Sequence, residues 1–269
     1  MVVTVHELDS RGRRMKQPRM PGTTAIPVWR WFALLAIVAV FAADNLVDSS
    51  LEAQLTAAGG ALVPVHSAFA AWTVILVALG GYGVVQLVED QRRVAAYDRA
   101  SHLVVLACAL LGTQLAIAGA NPIATGVTAL VIAVVSATAY VKVQRAILSN
   151  REPQPPSWIG LPLALLTGFT TVVAIVAIQS AIPHAGNATA IALVITATVV
   201  VVALAIELRD ATLPGFTAWL FVSICAATDG NAALATSTLL AGGACAAIAI
   251  FLAATRLGAV SAETNRRLV

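Results

Sequence analysis

Eight runs of apolar side chains, almost free of charge, limit what this chain can fold into. They cover residues 28–43, 67–88, 101–119, 123–141, 159–181, 188–206, 216–227 and 232–255. A hydrocarbon core of about 30 Å is crossed by roughly 20 helical residues. Most of the runs approach that length, and the seventh is short. A backbone in lipid satisfies its hydrogen bonds only as a helix or a closed barrel, and strand-like alternation is absent here. The expected fold is therefore all-α: a polytopic membrane helical bundle of about eight transmembrane helices. Only 11% of the residues are charged and 59% are hydrophobic, whereas a soluble domain carries about 25% charged residues. That balance excludes a soluble enzyme, a disordered chain and a nucleic-acid-binding domain.

The few charges are distributed unevenly. The N-terminal arm and its junction hold Arg11, Arg13, Arg14, Lys16, Arg19 and Arg30. Arg92, Arg93 and Arg99 follow the second run, and Lys142, Arg145 and Arg151 the fourth. Arg209 follows the sixth, and the tail holds Arg256, Arg266 and Arg267. With eight spans, every Lys and Arg falls on one side, and by the positive-inside rule both termini are cytoplasmic. Trp29, Trp31 and Trp158 sit where an inner aromatic belt is expected. The organisation expected is a disordered basic cytoplasmic arm (1–27), a transmembrane domain (28–255) and a cytoplasmic tail (256–269), in a bacterial cytoplasmic (inner) membrane. Arg13-Arg14 before an apolar stretch is also how a twin-arginine signal begins. The long basic region and the further spans favour a retained arm.

Turn signals separate the runs: Asn121-Pro122, the Pro-rich 152–156, 183–187, Leu213-Pro214-Gly215 and Asp229-Gly230-Asn231. The longest extramembrane segments are the arm and residues 44–66. No internal repeat stands out, so an inverted-repeat transporter gains no direct support.

Intramembrane ionisable residues usually mark ion or proton paths, and the run interiors have none. Glu207, Arg209 and Asp210 read as a solvated inner loop. No lysine lies inside a run, which excludes a retinal Schiff base. His6, His66, His102 and His184 are scattered. His66 and His184 could share an outer cation with Asp44, Asp48, Glu52 and Asp229, but solvated loops are the simpler reading. Cys108, Cys225 and Cys245 lie in apolar runs without paired spacing and read as small buried hydrophobes. Neither metal, cofactor nor catalytic residues are expected, so the chain does not read as an enzyme. Gln86, Gln114 and Gln179 read as polar glue between helices. Gly80-Gly81-Tyr82-Gly83 and Gly242-Gly243 read as places of close backbone approach.

Two segments are more specific. Pro64, Phe69 and Trp72 lead into the second run and are followed by Gly80, Tyr82 and Gln86. Leu161-Pro162 opens the fifth run, with Gly168-Phe169-Thr170-Thr171 after it. In order and separation these segments resemble the tryptophan-rich sensory protein family, the TspO/translocator or peripheral benzodiazepine receptor-like proteins, and its long bacterial members in particular. Phe169 stands where that family prefers Trp and Ala177 where it prefers Asn. Gly112-Thr113-Gln114 replaces the family's Asn/Trp signature in the third span.

The resemblance implies a five-helix bundle with additional helices in the long members. It also implies binding of tetrapyrroles, sterol-like or other apolar aromatic ligands, in a pocket open near the outer leaflet. Pro64, Phe69, Trp72, Tyr82 and Phe169 would line it, with Thr170 and Thr171 as hydrogen-bond donors. The function so implied is a non-enzymatic membrane sensor or binding protein for a hydrophobic small molecule, with a tetrapyrrole as the first candidate. Two alternatives stand beside it: a permease for neutral or lipophilic solutes, and an assembly or scaffold subunit. The partners expected are membrane lipid and the hydrophobic ligand, with no nucleic acid and with homo-oligomerisation left open.

Overall fold

A computed structural model describes residues 26–46, 61–88, 91, 94–117, 121–149, 157–182, 184–228 and 230–268; for 45, 46, 67, 95, 157 and 259–268 it describes the backbone only. Residues 1–25 of the expected disordered arm lie outside the described residues. The helices are α1 (Val28–Leu46), α2 (His66–Val85), α3 (Ala95–Ile117), α4 (Pro122–Leu148), α5 (Gly160–Ala181), α6 (Asn187–Leu208), α7 (Thr212–Ala227) and α8 (Ala232–Leu268), with one 3-10 turn at Ser157–Ile159. No strand occurs among the described residues. Six helices, α2 to α6 and α8, are long and apolar enough to cross a membrane, and α7 is a shorter apolar helix. The all-helical membrane architecture expected from the apolar runs is the one observed.

The breakers act as their chemistry dictates. Asn121 caps α4, its side chain accepting from the backbone N–H of Ile123 at 3.0 Å and Ala124 at 3.1 Å, with Pro122 at the first helical position. Asn231 caps α8 through Leu234 N–H at 3.2 Å. Asp210, one residue ahead of the cap position Ala211, accepts from Thr212 N–H at the start of α7 at 3.0 Å. Pro214 sits in the first turn of α7, where its missing N–H costs nothing.

α5 is the axis of the bundle. Of its most apolar 18-residue stretch, 78% is buried, against 22–44% for the corresponding stretches of the other five long helices. It packs against α2, α4, α6 and α7, and most extensively against α4. A helix that is apolar all round belongs inside a bundle, and α5 has no charged residue. Close approach is local. A Cβ on Gly168 would lie 3.0 Å from both Phe216 and Thr217 of α7, and one on Gly126 of α4 would lie 3.3 Å from the Ala177 carbonyl of α5. Gly83 and Gly242 likewise meet α1 and α7, as expected. Gly80, Gly81 and Gly243 face open space instead.

Contacts gather the described basic residues at one end of the bundle. There Arg30 is fully buried. Its Nε donates to Asp98 of α3 at 2.7 Å, and its terminal nitrogens donate to the carbonyls of Gln86 (2.9 Å), Gln91 (3.1 Å) and Val94 (3.1 Å). Gln86 returns a bond to the Arg30 carbonyl at 3.1 Å and accepts one from Ser101 at 3.1 Å. One side chain thus ties α1 to the α2–α3 turn. Asp210 departs from its reading as a solvated loop residue. It is 5% exposed and accepts from the Tyr140 hydroxyl at 2.5 Å, whereas Glu207 is exposed and pairs with Arg145. Its bonds to Thr212 N–H and to the Tyr140 hydroxyl explain the burial: a carboxylate held at a helix N-terminus in a packed bundle is enclosed along with it.

A closed aromatic pocket between α2, α5 and α7

Trp72 of α2 and Phe169 of α5 stack with ring centroids 5.2 Å apart and planes 21° from parallel. Both are buried. An offset stack of this kind contributes about 0.5–1.5 kcal/mol beyond the area it buries. Beside it lies an apolar pocket. Pro64, Ala68 and Phe69 form one wall; Phe169, Val172, Val173 and Val176 form the second; Leu220 of α7 closes the third. The spacing 169, 172, 173, 176 is one helical face.

The pocket is nearly filled. Its cavity volume is about 10 Å³, the least that holds a single water, and an apolar wall gives that water no partner. The chain segment entering α2 is fastened across it. Leu62 N–H donates to the Gln179 side chain of α5 at 3.1 Å, and Val65 N–H donates to the Ser223 carbonyl of α7 at 3.3 Å. The polar atoms nearby are few. The Asp44 carboxylate at the end of α1 sits against the Trp72 indole N–H. Even so, neither Asp44 Oδ1 nor Trp72 Nε1 completes a well-formed hydrogen bond, although both atoms are buried.

Of the residues singled out in the sequence, Pro64, Phe69 and Phe169 line this pocket and Trp72 stacks on its edge. Thr170 and Thr171 lie on the same helix, but their hydroxyls donate to their own backbone, to the Leu166 carbonyl at 2.8 Å and the Thr167 carbonyl at 2.7 Å. Tyr82 is elsewhere. Ten residues on from Trp72, it sits about 15 Å further along α2, its ring 5.5 Å from that of Tyr97 at the Arg30 end. The three valines of α5 were missed, although their helical spacing from Phe169 could have marked them. Leu220 had no marker, because nothing in a run of apolar residues says which one meets a distant helix. Asp44 reads in the sequence as an outer loop residue, yet it lies on α1 against Trp72.

Gln86 and Gln179 do bridge separate segments, and Gln114 Oε1 finds no partner. The three cysteines are free. Among the described residues no group of His, Cys, Asp and Glu could hold a metal ion; Asp48, Glu52 and Asp229 lie outside the described residues.

A family model described as TSPO-like protein matches residues 27–255, from the start of α1 into α8. The chain belongs to the TSPO-like family. The resemblance drawn from the two motifs is thereby shown, and with it a multi-pass membrane protein of a family that binds or transports ligands. No curated protein and no solved structure matches this TSPO-like chain.

Proposed function

We propose that this TSPO-like chain is a non-enzymatic sensor or binding protein for a flat hydrophobic molecule of the tetrapyrrole class, seated in a bacterial cytoplasmic membrane. The observation that carries the reading is the Trp72–Phe169 stack on an apolar pocket. These two aromatics come from sequence motifs almost a hundred residues apart, and the fold makes them one surface. Small-ligand sites are built this way, from apolar and aromatic walls with a small number of polar anchors. Asp44 and the Trp72 indole supply such anchors at the edge.

The pocket as it stands is too small for any such ligand, so binding goes with opening. Ligand rings replace one partner of the Trp72–Phe169 stack, and the segment 61–65 gives way at its bonds to Gln179 and Ser223. Opening coupled to binding is what a sensor needs, because the ligand is then read out as a shift between two arrangements.

Titration of protoporphyrin into the purified chain, followed by tryptophan fluorescence, tests the reading. Saturable quenching is expected, with its amplitude reduced in Trp72→Phe and kept in Trp158→Phe, whose indole is exposed near the basic end. Quenching that never saturates, or equal amplitudes in all three proteins, would sink it.

A further inference from the structure

The edge of the aromatic pocket carries a polar demand that its walls do not meet. Asp44 Oδ1 and Trp72 Nε1 are both buried, and neither has a hydrogen-bond partner. Trp72 is 5% exposed, and Asp44 is half-buried in the last turn of α1. Buried polar atoms of this kind cost stability until something pairs them, and a charged one costs most.

The unmet group is negative. α1 turns the negative end of its backbone dipole towards Asp44, and its last turn has no basic residue. No Lys or Arg occurs anywhere from residue 31 to residue 91. The rest of α1, the segment leading into α2 and α2 itself therefore bring no permanent cation. The turns that follow α3, α5 and α7 hold no Lys or Arg either. His66 and His184 are the histidines near those turns, and neither donates to Asp44 Oδ1.

The anion and the stacking surface are adjacent. Trp72 presents its face to Phe169 and its indole N–H edge to Asp44. A flat molecule seated on Trp72 in place of Phe169 brings its rim to the carboxylate.

We propose that the ligand carries a cationic nitrogen on its rim, which pairs with Asp44 while the aromatic body lies on Trp72. This inference rests on the binding reading above and adds the chemistry of the ligand's edge. The ammonium donates to Asp44 Oδ1, and the Trp72 N–H is left for a neutral acceptor on the same rim. A cation beside the indole also gains from the negative face of the ring. A rim carboxylate meets repulsion at the same place, so an acidic porphyrin enters with its carboxylates turned away from Asp44.

Three porphyrins with one ring and different rims test the proposal. They are protoporphyrin, its bis(2-hydroxyethyl)amide and its bis(2-aminoethyl)amide, titrated into the full chain in an uncharged maltoside detergent and followed by tryptophan quenching. The amine should bind roughly 10- to 150-fold tighter than the isosteric alcohol, the range set by a hydrogen bond to a charged group. Protoporphyrin should bind no tighter than the alcohol. Asp44→Asn should bring the amine to the level of the alcohol. Equal affinities for amine and alcohol in the wild type, with saturable quenching, overturn this inference and leave the binding reading standing. Quenching that saturates with none of the three overturns both. An undiminished preference in Asp44→Asn also overturns the inference and assigns the attraction to solvated acids. Should Asp44→Asn fail to fold, the wild type in about 1 M salt decides. A pair at a buried oxygen persists there, whereas a preference lost to screening overturns the proposal.

Discussion

Arg30 and Phe169 are the two residues whose replacement separates architecture from binding. Arg30→Met keeps much of the side-chain volume but strands two buried carbonyls, a half-buried one and a carboxylate. Breaking such a set should destabilise the bundle by about 3 kcal/mol. Asp98→Asn should cost under about 1 kcal/mol, because Asp98 is 42% exposed and the ion pair is screened. Unfolding in mixed micelles measures both, and equal losses would show that the ion pair rather than the carbonyls holds the joint. Phe169→Leu fills most of the same space without a stacking face. It should weaken protoporphyrin binding about 2- to 12-fold with little change in stability. The sequence shows Arg30 only as one more basic residue at the junction. Its partners are mainly carbonyls, which every residue owns, so no residue type marks them. Trp72 and Phe169 are legible for the opposite reason: large aromatics at motif spacing announce themselves.

At the scale of elements, α5 tolerates least. Gly168→Leu pushes a side chain into Phe216 and Thr217 and should cost about 1–3 kcal/mol. Gly80→Ala meets nothing, and by helix propensity should stabilise α2 by up to about 1 kcal/mol. A thermal shift of opposite sign for the two variants checks the assignment of inward and outward faces. The existence and order of the eight described helices were legible because most apolar runs are bounded by Pro, Gly or Asn. Their ends were less so. α3 starts six residues before its run and α4 continues seven beyond, carrying Arg99, and Lys142 and Arg145, on helix. A helix leaving hydrocarbon has no reason to stop while its residues remain good helix formers. Those extensions put basic side chains on helix at one end of the bundle.

For the molecule as a whole, the gathering of basic side chains at one end makes a prediction about topology. Green fluorescent protein fused to either terminus should fold and fluoresce in the cytoplasm, while a fusion at His184 should be dark. A dark fusion at one terminus alone would mean an odd number of crossings. This arrangement was readable from charge alone, since the positions of Lys and Arg do not depend on packing. That α2 and α5 share a pocket came from the resemblance; that α7 closes it was not readable, because that contact rests on complementary shape.

The buried arginine also bears on the order in which the protein is made. Arg30 leaves the ribosome with the first helix, and its carboxylate partner follows 68 residues later. At usual synthesis rates that interval is roughly 3–14 s. Until then its guanidinium has to stay hydrated at the membrane surface. The first helix can therefore lodge in the bilayer early but reach its final depth only once the second and third have arrived. The two-helix hairpin behind it acts as an internal chaperone for the first.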